Sequence, residues 1–276
     1  MIGMDGRARA AARLRDLHDE RPLVLPNAWD AGSARVIEAA GAAAIATTSA
    51  GIAWAHGLPD GQKITAGQML AAVASIVAAV RVPVTADVEG GYGDGSPAAI
   101  ADLVGELLAV GVAGINLEDS PGPDGHPLRS TAQQVERLRG AREAAGPDLV
   151  INARTDGYLL GVGDPGSRLE DTVDRAEAYL SAGADCVFVP GVVDPATIRE
   201  LAARIPGPLN VMAGPGAPDV TELAALGVAR ISVGPAITVA AYDLVSRAAH
   251  ELLEKGTYTG LEAGIGFGTL NGLFGG

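Results

Sequence analysis

Cysteine, basic charge and long apolar runs are all scarce in this chain of 276 residues. Cys186 is its single cysteine. One thiol closes no internal disulfide and builds no thiolate zinc cluster, which fits a reducing compartment. Lys and Arg number 20 against 33 Asp and Glu, a net charge of −13. That balance repels nucleic acid and anionic lipid, so a backbone-binding role would need a local basic patch. None is present: the densest basic run, Arg7 to Arg21, is interleaved with acids and reads as a solvated helix face. The longest uncharged helical run, Met69–Val80, stops at Arg81 and is too short to cross a bilayer. The N-terminal segment sets Asp5, Arg7, Arg9 and Arg13 among alanines and lacks the apolar core of a secretion signal. A soluble cytoplasmic protein is expected, bound to neither nucleic acid nor membrane. Apolar residues, at 48 %, are plentiful enough for a sizeable core and exclude wholesale disorder.

From Leu23 onward one pattern repeats eight times: a short apolar run, a turn, then an alanine-rich stretch with helical spacing. The predicted strands are Leu23–Pro26, Ala43–Thr47, Val82–Asp87, Gly114–Glu118, Leu149–Arg154, Asp185–Val189, Leu209–Ala213 and Arg230–Val233. The helical stretches between them are Ala31–Ala40, Ala66–Val80, Pro97–Val110, Ala132–Ala145, Val173–Ala182, Pro195–Arg204, Val220–Leu226 and Ile237–Lys255. Gly41, Gly111, Gly183 and Gly227 each close a helix and precede a strand, as a left-handed C-terminal cap does. The strands are apolar throughout, which means burial on both faces of a parallel sheet. Eight such units in roughly 250 residues match an α/β fold of the (β/α)8 TIM-barrel type, a single domain over residues 1–276. An open doubly wound sheet is the rival; eight near-equal units with no long linker favour closure. The helix at Ala8–His18 and the Gly-rich tail after Lys255 read as appendages.

A barrel carries its active site at the C-terminal ends of its strands. There the third predicted strand ends in Asp87-Val-Glu-Gly-Gly-Tyr-Gly93, with Asp87 and Glu89 two apart and facing alike in extended chain. The fourth ends in Asn116-Leu-Glu-Asp119 and the fifth in Asn152-Ala-Arg-Thr-Asp156. Carboxylates converging on one mouth repel unless a proton or a cation intervenes. An oxygen-only cluster suits Mg²⁺ or Mn²⁺ and disfavours zinc. The competing reading is structural, since acids at strand ends also cap helices or pair with arginine. Asp119 alternates with Glu118 and turns away, and Asp156 reads as ordering the loop beside Arg154.

These segments resemble the isocitrate lyase/phosphoenolpyruvate mutase superfamily. Asp87-Val-Glu-Gly-Gly-Tyr-Gly93 is similar to its metal motif. The likeness extends through Leu23–Arg35, Thr47–Gly51, His56–Asp60, Gly114–Asp119, Ile151–Arg154 and Gly183–Asp185, in order and over nearly the whole chain. The resemblance implies a metal anchored by Asp87, with Glu89 and Glu118 reaching it through water. It implies that Thr48, Ser49 and Ala50 bind the pyruvyl carboxylate and oxygen, and that Arg154 grips a carboxylate or phosphonyl group. Asp60 would ride on a mobile gating loop, hinged by Gly57, Pro59 and Gly61. Asn210 resembles a substrate-binding asparagine of the methylisocitrate lyase branch. Ser49, Asp60 and Arg154 are thus the implied catalytic set, with Mg²⁺ as cofactor and an enolate of pyruvate as the shared intermediate.

The chain also departs from its resemblance. Lyases of the isocitrate type carry a Lys-Lys/Arg-Cys-Gly-His loop after the fourth strand. Here that loop is Ser120-Pro-Gly-Pro-Asp-Gly-His-Pro-Leu-Arg129, with neither cysteine nor lysine. The Lys-x-Asn segment of the mutases is missing as well, and Pro190 stands near the position of their histidine. His126 could replace the missing acid, against a plain solvated loop. Cys186 reads as a packed small hydrophobe; Trp54, His56, Tyr92 and Tyr158 divide between closing the site and packing its rim. The expected activity is lysis of a C–C bond in a small 2-oxo or 2-hydroxy di- or tricarboxylate. The alternatives are a P–C bond enzyme and a non-catalytic 2-oxo acid binder. A further one is a phosphate-binding isomerase or synthase using the turns at Ala213–Ala217 and Ser232–Pro235; Pro215, Pro218 and Pro235 remove donors there. The tail resembles a segment that packs on a neighbouring subunit, so a homo-oligomer, dimer or tetramer, is expected.

Overall fold

The computed structural model describes residues 4–20, 22–121, 125–262 and 264–275. The pattern of short apolar runs folds as anticipated into parallel strands, each followed by a helix. Strands β1 (Leu23–Leu25) and β2 (Asn27–Ala28) come first, then β3 (Ile45–Thr47), β4 (Val84–Asp87), β5 (Gly114–Glu118) and β6 (Val150–Arg154). β7 (Cys186–Val189), β8 (Leu209–Met212) and β9 (Arg230–Ser232) complete the sheet. All pairings are parallel, in the order β1-β9-β8-β7-β6-β5-β4-β3-β2. β1 and β2 are one predicted strand divided at Pro26. Proline has no N–H to give the ladder, so β1 pairs with β9 and β2 with β3, and the two halves together close the ring. The strand segments therefore number nine where eight were expected, and the barrel is the same.

Helices α1 (Met4–Asp19), α2 (Ala31–Ala39), α3 (Ser49–Ala55), α4 (Ala66–Ala79), α5 (Pro97–Val110) and α6 (Thr131–Ala145) lie in the first half. α7 (Arg168–Ser181), α8 (Pro195–Arg204), α9 (Val220–Ala225), α10 (Ala236–Lys255) and α11 (Phe267–Gly272) follow. Their starts are set by side chains that satisfy the first orphan N–H groups. Thr65 with Gln68 and Ser130 with Gln133 form capping boxes, and Ser96 and Asp194 cap helices that open on proline. Gly41, Gly111, Gly183 and Gly227 all take positive φ, between 93° and 105°, as the repeated turn requires. α7 begins five residues before the predicted Val173, because its first turn is polar and carries Glu170 and Asp171 where acids favour a helix start. No helix among the described residues is long and apolar enough to cross a membrane.

α1 is more than an appendage. Leu14 and Leu17 pack against Leu23, Leu25, Ala44, Ala46, Ala113 and Val150, closing the N-terminal end of the barrel. Arg15 fastens it there, donating to Asp185 at 2.9 Å and to the carbonyls of Pro147 at 2.6 Å and Leu149 at 2.8 Å. With that end sealed, the polar chemistry is left to the other.

Candidate active site

Asp87 ends β4, and its carboxylate is buried. Its Oδ2 accepts from the Ser49 hydroxyl at 2.9 Å and from the Ser49 N–H at 3.3 Å. Thr48 makes this possible: it caps α3, a seven-residue helix too short for periodicity to reveal, and so aims the first α3 amide at the barrel mouth. Thr47 Oγ1 accepts the Asp87 N–H at 2.8 Å and fixes the strand end. Ser49, expected to bind a substrate oxygen, thus spends both donors on Asp87.

Glu89 follows in left-handed backbone, φ 51°, as does Tyr92 at 55°. Gln62 at 56° is the third such non-glycine among the described residues, and all three join in one cluster. The Gln62 N–H donates to Glu89 Oε2, the Tyr92 hydroxyl donates to Glu89 Oε1 at 3.0 Å, and Gln62 Oε1 accepts from the Tyr92 N–H at 3.0 Å. Non-glycine residues held at positive φ cost about 1 kcal/mol or more each and persist where surrounding contacts over-determine them. Burial, then the neighbouring Asp87 charge, pushes the Glu89 carboxyl up to about 7 against the pull of these donors.

Glu118 ends β5 and pairs with Arg154, which ends β6, at 2.9 Å. Arg154 also grips Asp156 through Nε at 2.5 Å and Nη2 at 3.1 Å. Its guanidinium lies over the Phe188 ring, 5.6 Å from the centroid. Ser120 donates to both Glu118, at 3.3 Å, and Asp156. Burial raises Glu118 well above the usual carboxylate range despite Arg154, and Asp156, Asp87 and Glu89 add to the rise. Burial works against the Arg154 charge, yet Glu118, Asp156 and Asp87 hold its affinity for the proton above normal. Arg137, almost fully buried on α6, ties the two acidic loops together by donating to the carbonyls of Glu118 (3.1 Å) and Gly90.

Most of the predicted set meets here: Asp87, Glu89, Glu118, Arg154, Thr48 and Ser49, with buried Ala50 in the same α3 turn. Asp119 turns away, accepting from Tyr179 at 2.8 Å and Arg175 at 3.2 Å. Asp60 is solvent-exposed, two residues before Gln62, and its charge still reaches Glu89. Asn210 lies wholly inside the barrel on β8, where its Oδ1 accepts from Ser232 at 3.4 Å. His126 and His56 are exposed, and Trp54 stacks obliquely on Tyr242 of α10, 6.5 Å away. Cys186 is packed in β7. The loop at 120–129 keeps residues 122–124 outside the described set. Sequence reasoning missed Gln62, Ser120, Arg137 and Phe188. For Arg137 there was a signal: it shares the buried face of α6 with Leu138, Ala141 and Ala145.

The donors are all carboxylate and hydroxyl oxygen. Among the described residues no three His, Cys, Asp or Glu side chains form a ready-made metal cage. Glu118 is committed to Arg154 and Glu89 to Gln62 and Tyr92. Such a set fits an ion that takes one or two carboxylates and keeps its waters, which is the habit of Mg²⁺ rather than of zinc. Burial first, and the neighbouring carboxylates after it, raise Glu89 and Glu118, and a bound cation would favour their charged forms.

A family model for phosphoenolpyruvate phosphomutase matches residues 14–253. The chain is 32 % identical to 2,3-dimethylmalate lyase of Eubacterium barkeri over 242 residues, 83 % of this chain and 81 % of that one. It is 32 % identical to phosphoenolpyruvate phosphomutase of Streptomyces hygroscopicus over 234 residues, 80 % and 72 % of the two chains. A solved protein of Burkholderia cenocepacia J2315 superposes with a TM-score of 0.90 at 39 % identity, covering 99 % and 98 %. With its barrel and its acidic mouth, this chain belongs to the isocitrate lyase/phosphoenolpyruvate mutase superfamily.

Proposed function

We propose that this protein is a Mg²⁺-dependent carbon–carbon lyase acting on a small 2-oxo or 2-hydroxy di- or tricarboxylate. The observation that carries the reading is the buried constellation of Asp87, Glu89 and Glu118 beside Arg154. Asp87 would hold the metal directly, and Glu89 and Glu118 through water. Bound there, the ion would supply Lewis-acid polarisation of the substrate's carboxylate and keto oxygens. Arg154, once it exchanges part of its grip on Glu118 or Asp156, presents a planar fork to a carboxylate. The Ser49 N–H and hydroxyl, both spent on Asp87 here, would stabilise charge on an enolate oxygen once a substrate and a metal take up that carboxylate. Gln62 and Tyr92 donate to the two Glu89 oxygens and so fix the orientation of its carboxylate. Asp60 would act from the segment that Gln62 anchors, and Asn210 would line the substrate's inner side. The 2,3-dimethylmalate lyase similarity supports C–C chemistry. The phosphomutase similarity keeps P–C chemistry as the second reading, although the loop from Ser120 to Arg129 lacks the Lys-x-Asn segment that the family resemblance implies for a mutase.

The test is proton and phosphorus NMR on oxaloacetate, isocitrate, 2-methylisocitrate, dimethylmalate, phosphonopyruvate and phosphoenolpyruvate, each with Mg²⁺ and with EDTA. Metal-dependent release of pyruvate, glyoxylate or oxalate is expected; a rearranged phosphorus signal would make the protein a mutase instead. We also propose a homo-oligomer built through α10 and the tail. Leu253 and Phe267 there are 84 % and 86 % exposed, and Val245, Leu252, Tyr258 and Leu261 are exposed with them, apolar surface of the kind that marks an interface.

A further inference from the structure

Arg230 stands on β9 with its side chain wholly inside the barrel. Its Nη2 donates to Asn116 Oδ1 at 3.2 Å, while Nε and Nη1 have no partner. Asn116 is the register neighbour of Asp87 across β4 and β5, so the guanidinium reaches to just beneath the acidic mouth. Among the described residues no carboxylate pairs with it in a salt bridge; its electrostatic neighbours are the Cys186 thiol and the Asp87 carboxylate. More unsatisfied groups lie in the same interior, Asn210 Nδ2 beside it in register and Asn152 Oδ1 beyond Asn116. His18, the ring nearest it from α1, is held neutral by burial and by Arg230, with its pKa pushed down to about 4.

A guanidinium cannot shed its proton at any working pH. Buried with no carboxylate in salt-bridge contact among the described residues and with two donors idle, it costs stability that an apolar side chain of similar size would not. The barrel interior is ordinarily filled by Val, Ile and Leu. A costly group at such a position fits a role in binding, where stability is traded for function.

We propose that Arg230 is a permanent positive charge set beneath the carboxylate cluster, which makes the site bind a small dianion more tightly and a divalent cation less tightly than its acids alone would. The inference rests on the reading of the mouth as a site for both an anionic substrate and a metal. It assigns to Arg230 a positioning role through the field, not a contact with the reacting atoms. The field acts with opposite sign on the two ligands, and a merely structural residue would not.

The test uses the full chain and the variants Arg230→Met and Arg230→Gln. Oxalate and inorganic phosphate binding are measured by calorimetry with Mn²⁺ present, and Mn²⁺ binding alone by electron paramagnetic resonance. In both variants oxalate should bind at least about tenfold more weakly, ~1.4 kcal/mol. Mn²⁺ should bind more tightly than in the parent, unchanged Mn²⁺ affinity overturning the field role, and the melting temperature should not fall. Oxalate affinity within about threefold of the parent, or Arg230→Gln behaving as the parent, overturns the proposal. So does joint weakening of oxalate and Mn²⁺ with a lowered melting temperature, which would make Arg230 structural. Oxalate binding that ignores Arg230 leaves the lyase reading standing and removes this one. Phosphate binding that depends on Arg230, with no oxalate binding, does the reverse. A parent that binds neither anion removes both.

Discussion

Asp87 is held by three hydrogen bonds to the 47–49 turn, two donated to its carboxylate by Ser49 and one from its own N–H to Thr47 Oγ1, so its position does not depend on a ligand. Asp87→Ala should abolish metal-dependent turnover by several orders of magnitude while circular dichroism and melting stay near the parent's. Unfolding would assign Asp87 to structure. Arg154→Lys keeps a charge but loses the fork that spans Glu118 and Asp156. Oxalate affinity, measured by calorimetry, should drop by about tenfold or more; equal affinity would remove Arg154 from the site. Glu89 gives a pH prediction with a definite sign. Its folded value of about 7 lies above the ordinary 4.5, so the folded chain keeps a proton that the unfolded chain has already lost. Stability is therefore favoured at low pH and declines between about pH 4.5 and pH 7, by about 3 kcal/mol in all from this group. In EDTA, urea midpoints should fall between pH 5 and pH 8, and Glu89→Gln should flatten that slope.

At the scale of elements, the turn after β4 is built around glycine for a spatial reason. Gly91 has φ +85°, and a Cβ there would sit 2.0 Å from Ile100 Cδ1 and 3.2 Å from an Arg137 nitrogen. Gly91→Ala should destabilise by roughly 2–4 kcal/mol, combining backbone strain with overpacking. Urea unfolding checks this, and a change under about 0.5 kcal/mol would show that α5 yields easily. Strand ends and helix C-terminal caps were legible in the sequence because they depend on local chemistry: a glycine that closes an alanine-rich run and precedes an apolar one. α3 and α11 were not legible: besides being short they carry glycine and lack the strand–helix–glycine setting that marked the equally short α9. The role of α1 was hidden for another reason. Leu14 and Leu17 are ordinary apolar residues until the barrel floor exists for them to plug.

For the whole molecule, the exposed apolar surface of α10 and the tail sets an expectation about assembly. Light scattering behind size exclusion should give a multiple of the protomer mass. The pair Leu253→Glu and Phe267→Glu should reduce that mass with little effect on the protomer's fold, because both side chains are more than four-fifths exposed. A monomeric parent would end the oligomer reading. The barrel also explains how residues as distant in sequence as Ser49 and Arg154 come to share one mouth: parallel strands deliver every C-terminal end to the same side.

The chain by itself determined the alternation of strand and helix, the closed barrel, and the identity of the acids at its mouth. All three follow from periodicity, turn chemistry and a motif read along the chain. Tertiary structure alone decided which donors each carboxylate meets. It turned Ser49 onto Asp87, brought Gln62 over Glu89, and set Arg137 between two loops. It also buried Arg230 beneath them with donors unspent. Those are contacts between residues far apart in sequence, and their energies depend on burial and field, which exist only once the barrel has closed.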